Sequence, residues 1–234
     1  MTAFPRAVAL LLGASILLSA CSPSPAPAAT DSANFSPAET ENGQTDSQGR
    51  LSTVGYYFDT VVTVTLYGAK QETLDRILEK CGEYEGLLSK TVAGSDVWKI
   101  NHAQGQSVEI SDQTRDVLET ALMMGQATNG LLDITVAPVV DLWHFTDGSA
   151  ELPEKEDVSA ALEKVDYRAI HLDGNTVTLP SGWAIDLGGI AKGYIADQIA
   201  LFCKEVGVEA GILNFGGNVV TVGQKPGGGL WVVG

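Results

Sequence analysis

The stretch Trp183–Asp197, with the sequence WAIDLGGIAKGYIAD, decides how the rest of the chain is interpreted. Three apolar residues precede Asp186, and two glycines then open a pattern in which apolar residues recur at helical spacing. This pattern predicts a strand at 183–187, a tight turn, and a helix from 190 to about 206. Glycines let a ligand approach the main chain, and the unpaired amides of a helix start favour a phosphate group. Lys192 would strengthen such a site, whereas an ordinary strand-to-helix turn is the alternative.

Length and composition describe a globular, acidic protein. The chain has 234 residues, 44% of them hydrophobic, so it can bury a substantial core in one or two domains. Its formal charge of -15 argues against nucleic acid as a partner, because nucleic-acid binding needs clustered Lys and Arg. Three scattered cysteines do not make a disulfide framework. Cys81 and Cys203 fall on apolar faces of predicted helices, which predicts buried free thiols.

The first fifty residues differ in composition from the rest. Residues 1–21 have the pattern of an export signal, with an apolar run that ends in Leu18-Ser19-Ala20-Cys21. That tetrapeptide resembles the bacterial lipobox, which implies cleavage before Cys21 and lipidation of this cysteine. Residues 22–50 are rich in Ser, Pro, Ala and Thr, so we expect a flexible tether. The predicted location is therefore the extracytoplasmic face of a bacterial cell membrane, to which the lipid anchors the protein.

Residues 51–234 form the predicted folded domain. Short apolar strands surround the last helix closely, which favours an α+β fold with a mixed or antiparallel sheet and packed helices. The chain stops at an apolar predicted strand, so we expect an incomplete domain whose C-terminal part is missing. Predicted strands cover 56–67, 169–172, 176–179, 183–187, 212–215, 219–222 and 230–233. Predicted helices cover 71–88, the segment from Ser111 to Asn129-Gly130, 154–165 and 190–206.

Three polar segments are candidates for a site, and each has a simpler explanation. Asp133 could bind a ribose or a polar ring edge, or it could be a turn residue followed by a strand residue, Thr135. Residues 89–101 could line a pocket or form a loop. The pair Gly216-Gly217 could let a ligand approach the backbone, or it could make a tight turn or bulge.

Five segments, in this order, resemble the ApbE family of FAD:protein FMN transferases. Each motif is short, but their common order behind a lipobox is specific to the family, and together they cover nearly all of 51–234. The segments are Phe58-Asp-Thr60, 88–101, 130–143, 184–197 and 213–218.

The resemblance implies that FAD is split at its pyrophosphate, that FMN is esterified to a threonine of a target protein, and that AMP leaves. It also implies dependence on a divalent metal, which we take to be Mg²⁺. By the same resemblance, the main-chain carbonyl of Gly189 points at the metal. The residues implied to contact FAD are Phe58, Thr91, Leu131, Leu132, Asp133, Asp186 and Lys192.

The sequence departs from the family pattern in three respects. Phe58 stands where the family has Met, and Thr91 stands where many relatives have an aromatic residue. The acidic segment that completes the family's metal site has no counterpart here, so no catalytic base is named and residues 51–234 alone are expected to be inactive. A lipoprotein that binds a flavin without catalysis, and a structural lipoprotein without a small ligand, are the alternative functions.

Overall fold

The computed structural model describes residues 44–45, 49–145 and 152–233, all within one compact unit that spans Pro37–Gly234. The predicted signal at 1–21, with Cys21, lies outside the described residues. Within the described part of the chain, no helix combines the length and the apolar character that a membrane crossing requires.

Five antiparallel strands form the main sheet, in the spatial order β1-β2-β3-β7-β8. The α+β fold with antiparallel strands is thus confirmed. β1 and the first residue of β2 lie within the predicted tether, so the end of that segment belongs to the sheet. The strands are β1 Gln44–Thr45, β2 Arg50–Tyr57, β3 Thr60–Tyr67, β7 Ala210–Phe215 and β8 Asn218–Gly223.

Two helices cover the main sheet because each presents an apolar stripe. α1 spans Gln71–Leu88, as predicted, and α6 spans Ala191–Glu205. α1 contacts β2, α6 contacts β7 and β8, and the two helices contact each other. In β3 the alternating residues Val62, Val64 and Leu66 are fully buried beneath them. The predicted burial of the two cysteine thiols is also confirmed; one lies on each helix.

The remaining elements include a second, smaller sheet and helices that contact α1. A small antiparallel sheet has the order β4-β6-β5. Ser111 caps α3 as predicted, by accepting a hydrogen bond from the Thr114 amide, and the helix gives way to positive φ angles at Asn129 and Gly130. The elements are α2 Asp96–His102, β4 Val108–Glu109, α3 Asp112–Ala127, α4 Ala137–Val140, α5 Lys155–Leu162, β5 His171–Asp173 and β6 Thr176–Thr178. Short 3-10 turns lie at Ile134–Val136, Asp141–Trp143 and Tyr167–Ala169.

The structure corrects several predicted elements. The single strand at 56–67 is wrong, because Phe58 and Asp59 form a turn that divides it between β2 and β3. The segment 183–187 is irregular and not a strand. About half of the presumed loop at 89–101 is α2, which Ser95 caps.

The segment 230–233 is not a strand either, so it leaves no unpaired strand edge. Trp231 donates its indole N–H to the Gly223 carbonyl at 3.1 Å, and its ring packs against Tyr67. An apolar run of this length does not distinguish a strand from an extended segment that packs through a single anchor.

Candidate functional site

The turn from Asp186 to Lys192 is organised by its own polar groups. The Asp186 carboxylate accepts the Gly188 amide at 2.7 Å, and Lys192 Nζ donates to the Gly188 carbonyl at 2.8 Å. The amides of Ile190 and Ala191 both donate to the Leu187 carbonyl. These amides are therefore not the free phosphate donors that the sequence suggested, and the positive charge offered by this turn is mainly the Lys192 ammonium.

The irregular segment before this turn is fixed by bonds to distant elements. Asn101, on α2, accepts the Ile185 amide at 2.8 Å and donates to the Ile185 carbonyl at 2.9 Å. The Asp186 amide donates to the Ile134 carbonyl at 2.8 Å. Ile185 and Ile134 are buried, so these bonds satisfy main-chain groups that water does not reach. Asp186 thus has a defined position without a strand to hold it.

An ion-pair network connects this turn to two other segments. The Lys90 ammonium lies 2.9 Å from Asp186 Oδ2 and 2.6 Å from Asp141 Oδ1. Desolvation of the ammonium is the largest single influence on the pKa of Lys90 and lowers it. The hydrogen bonds and attraction of the two carboxylates outweigh that effect, so the pKa of Lys90 is raised above its ordinary value. Lys90 is therefore charged at neutral pH.

The larger of two adjoining clefts has a volume of about 590 Å³. Its lining includes Phe58 and Thr91, predicted from the sequence, together with Asp59 and the three members of the ion-pair network. Asp186 and Lys192 stand in its wall. Aromatic, polar and charged groups are therefore all available to a ligand in this cleft.

The smaller cleft has a volume of about 370 Å³ and is lined by Leu132, Asp133 and Gly189. Asp186, Gly188 and Lys192 line it as well, so these residues separate the two clefts. Seven of the eight predicted FAD and metal positions thus surround one pair of clefts. The exception is Leu131, which lines neither of these clefts and is 93% exposed.

Phe58 reaches the larger cleft from an unusual turn. Phe58 and Asp59, with φ angles of 57° and 55°, are the two residues between β2 and β3, in a conformation that normally takes Asn-Gly. Glu85 accepts the Phe58 amide at 2.7 Å, and the Phe58 ring packs against Phe215. Non-glycine residues in this conformation cost free energy and are often found at functional sites. The cost is consistent with a role for the Phe58 ring in the cleft.

Asp133 has a clear structural role. One carboxylate oxygen accepts the amide and hydroxyl of Thr135 at 2.8 Å and 2.6 Å, and the other accepts the Tyr167 amide at 2.8 Å. Asp133 therefore caps the short helix at Ile134–Val136. Asp133 is thus the turn residue of the simpler explanation, but Thr135 lies in a 3-10 helix and not in a strand. The contact of Asp133 with FAD stays a prediction.

The structure adds residues that the sequence did not single out. Lys90, Asp141, Glu85 and Asn101 all contact residues of the candidate site, although none is adjacent in sequence to the Asp186 turn. The available signals were that Lys90 and Asn101 fall within the polar segment 89–101 and that Asp141 falls within the family-like segment 130–143. Their partners lie 51 to 96 positions away, so only the tertiary structure identifies them.

The described residues do not form a metal site by themselves. No group of three or more His, Cys, Asp or Glu side chains within the described ranges could hold a metal ion. Gly189 contributes at most one main-chain carbonyl, whereas Mg²⁺ takes near-octahedral oxygen coordination.

The fold is shared with solved flavin transferase structures. The apo flavinyl transferase ApbE of Pseudomonas stutzeri superimposes with a TM-score of 0.70 at 24% identity, covering 81% of this chain and 62% of that one. The ApbE protein of Thermotoga maritima gives a TM-score of 0.74 at 29% identity, covering 79% and 62%. These likenesses place the chain among α+β proteins of the ApbE fold.

The family follows from the sequence comparison. The ApbE family model matches residues 58–234, so the chain belongs to the ApbE family. The FAD:protein FMN transferase of Klebsiella pneumoniae (strain 342) is 29% identical over 177 residues, which are 74% of this chain and 54% of that protein. The FAD:protein FMN transferase of Haemophilus influenzae is 32% identical over 136 residues, which are 54% of this chain and 38% of that protein. The chain spans about half the length of the curated relatives it matches.

Proposed function

We propose that this protein binds FAD across the two clefts and transfers its FMN half to a threonine of a target protein, with release of AMP. The observation that carries the proposal is that two clefts meet at Asp186, Gly188 and Lys192. FAD is a dinucleotide whose two aromatic ends are joined by a pyrophosphate. A pair of clefts with a lysine at their junction suits that shape and charge.

The volumes suggest which half of FAD occupies each cleft. The isoalloxazine ring is larger than adenine, and the larger cleft offers the Phe58 ring for aromatic contact. We therefore assign the flavin half to the larger cleft and the adenosine half, near Leu132 and Asp133, to the smaller one. The pyrophosphate then lies beside Lys192, which supplies positive charge where negative charge is displaced during the transfer.

The reaction is a phosphoryl-type transfer at the phosphorus of the FMN half. The threonine Oγ forms a bond to that phosphorus, the bridging pyrophosphate P–O bond breaks, and AMP leaves with the bridging oxygen. The hydroxyl proton is lost to a base that the described residues do not identify. This chain contributes by holding the phosphorus in line for attack and by neutralising charge on the pyrophosphate.

Binding is tested by titration of FAD fluorescence with the full-length protein. Asp186→Ala removes a charged acceptor and Lys192→Ala removes a phosphate partner, each worth about 1.5 to 3 kcal/mol, or roughly tenfold to hundredfold in affinity. Asp197→Ala and Lys204→Ala, on the exposed side of α6, are the matched controls. Affinities within about twofold of wild type for both site variants would refute the assignment.

Transfer is tested separately from binding. The full-length protein is incubated with FAD and a target protein that carries an acceptor threonine, and covalent flavin is detected by fluorescence in a denaturing gel. Replacing the acceptor threonine by valine must abolish labelling, and AMP must appear in proportion to the label. Tight FAD binding with no labelled target would instead support a protein that only binds the flavin.

A divalent cation is part of the proposal as a requirement for transfer. We propose that transfer requires Mg²⁺, to which the Gly189 carbonyl would supply one oxygen ligand; the ion would neutralise charge on the pyrophosphate. Transfer should stop in EDTA and return with added Mg²⁺. Undiminished labelling in EDTA would remove the metal from the proposal.

We also propose that Cys21 is lipidated and anchors the protein to the extracytoplasmic face of a bacterial membrane. The support is the Leu18-Ser19-Ala20-Cys21 sequence directly after an apolar run. Cys21→Ala should abolish globomycin-sensitive processing and release the protein from the membrane fraction. Unchanged membrane association of that variant would contradict the proposal.

A further inference from the structure

Lys90 is a residue of the site to which the family resemblance assigns no function. Its ammonium contacts one carboxylate from the 3-10 turn Asp141–Trp143 and another from the Asp186 turn, at 2.6 Å and 2.9 Å. Those two carboxylate oxygens therefore lie within 5.5 Å of each other, the sum of the two distances. Two carboxylates this close repel each other unless a cation lies between them.

Burial makes this arrangement matter more than a surface ion pair. The side chains of Lys90 and Asp186 are 24% and 21% exposed, whereas Asp141 is 60% exposed. Partly buried charges are screened less by salt than exposed ones, so loss of the Lys90 ammonium would leave a strong repulsion between the carboxylates of Asp186 and Asp141. Asp141, which faces solvent more, tolerates neutralisation better.

The hydrogen bonds of Asp186 define its orientation completely. One carboxylate oxygen accepts the Gly188 amide, and the other accepts from Lys90. The Gly188 bond is local to the turn, and therefore cannot by itself prevent the carboxylate from rotating toward solvent. Lys90 is the partner that fixes the second oxygen from a distant segment.

The charge of the larger cleft also depends on Lys90. Among the described residues, the charged groups that line this cleft are Asp59, Asp141, Asp186, Lys90 and Lys192. Without Lys90, three carboxylates would face one lysine in the cleft that receives a negatively charged nucleotide. Repulsion of the FAD phosphates would follow.

We propose that Lys90 is a positioning residue for FAD: it holds the Asp186 carboxylate in its binding orientation and neutralises Asp141 beside the nucleotide. This inference rests on the proposed binding of FAD. It differs from a purely structural tie between segments in one respect. If the Lys90 ammonium acts by neutralising charge, then removing the charge of Asp141 should restore part of the FAD affinity that is lost with Lys90. If Lys90 only ties the segments together, removing the charge of Asp141 should restore none.

The experiment measures FAD affinity by fluorescence titration, and the unfolding midpoint, for the full-length protein. Lys90→Met should weaken FAD binding roughly tenfold or more, and Lys90→Arg, which keeps the charge, should stay within about threefold of wild type. Adding Asp141→Asn to Lys90→Met should recover at least about threefold of the lost affinity. Lys99→Met, which removes the ion pair with Asp96 outside the clefts, is the control and should leave the affinity unchanged.

The outcomes separate this inference from the proposed function. If Asp186→Ala weakens FAD binding but Lys90→Met does not, only the role of Lys90 is overturned. If wild type does not bind FAD, both are overturned. Failure of Asp141→Asn to recover any affinity would overturn the charge argument. If Lys90→Met lowers the unfolding midpoint, Lys90→Gln is measured in its place, because it keeps a hydrogen-bond donor without the charge. Wild-type FAD affinity of Lys90→Gln would then overturn the role of Lys90.

Discussion

Asn101 offers a sharp test of how the site is held in place. Its side-chain amide makes two hydrogen bonds to the main chain of Ile185, at 2.8 Å and 2.9 Å, and Ile185 is 1% exposed. Asn101→Leu keeps a similar volume but cannot make either bond. A buried main-chain group left without a partner costs about 1 to 3 kcal/mol, so the loss should reach roughly 2 to 6 kcal/mol. That is a large part of the stability of an ordinary domain.

The assay is urea denaturation of the full-length protein, followed by tryptophan fluorescence. Gln71→Leu is the matched control. The Gln71 side chain makes an exposed hydrogen bond to Asp75, so the change in unfolding free energy should stay within about 0.5 kcal/mol. Because Asp186 follows Ile185, FAD binding by Asn101→Leu should weaken as well. A loss of stability no greater than that of the control would refute the reasoning and would mean that water reaches the Ile185 main chain.

Two further predictions concern stability. Burial raises the pKa of Asp96, but hydrogen bonds from Ser111, Thr114 and Lys99 outweigh it, so the pKa lies below its ordinary 3.8. The ionised carboxylate therefore stabilises the fold above pH 3.8, and this contribution is lost as pH falls through the lowered pKa. Asp96→Asn should lower the free energy of unfolding by about 2 to 4 kcal/mol at pH 7 and by less below about pH 4. An equal loss at both pH values would contradict this prediction. Asp59→Gly should raise the unfolding free energy by about 1 kcal/mol, measured by urea denaturation, because glycine adopts the positive φ of 55° without strain. A destabilised Asp59→Gly protein would show that the carboxylate makes compensating contacts.

Local patterns in the sequence predicted the long helices correctly. α1 has the predicted bounds because its apolar residues repeat at helical spacing over five turns, and the Ser111 cap of α3 follows from a single side chain. The antiparallel α+β class also follows from local spacing, because short strands close together in sequence pair as hairpins. β7 and β8, joined by Gly216-Gly217, are an example.

Of two tight turns, the sequence missed one and left the other as one of two alternatives. Phe58-Asp59 has none of the turn residues expected at positive φ, so the apolar and aromatic run at 56–67 predicted one continuous strand. The alternative considered for Gly216-Gly217, a tight turn, is what the structure contains. A Cβ at Gly216 would overlap the Thr60 side chain, which shows why glycine is needed there.

The candidate site also contains residues that the sequence identified and contacts that only the structure shows. The sequence alone determined Asp186, Lys192 and the glycines between them, because a carboxylate, two glycines and a lysine at a helix start carry their chemistry in consecutive residues. Only the tertiary structure decided that Lys90 and Asp141 join Asp186, that Asn101 holds Ile185, and that two clefts meet at this turn. These contacts join segments tens of residues apart, and ion pairs and hydrogen bonds over such separations leave no periodic pattern in a single sequence.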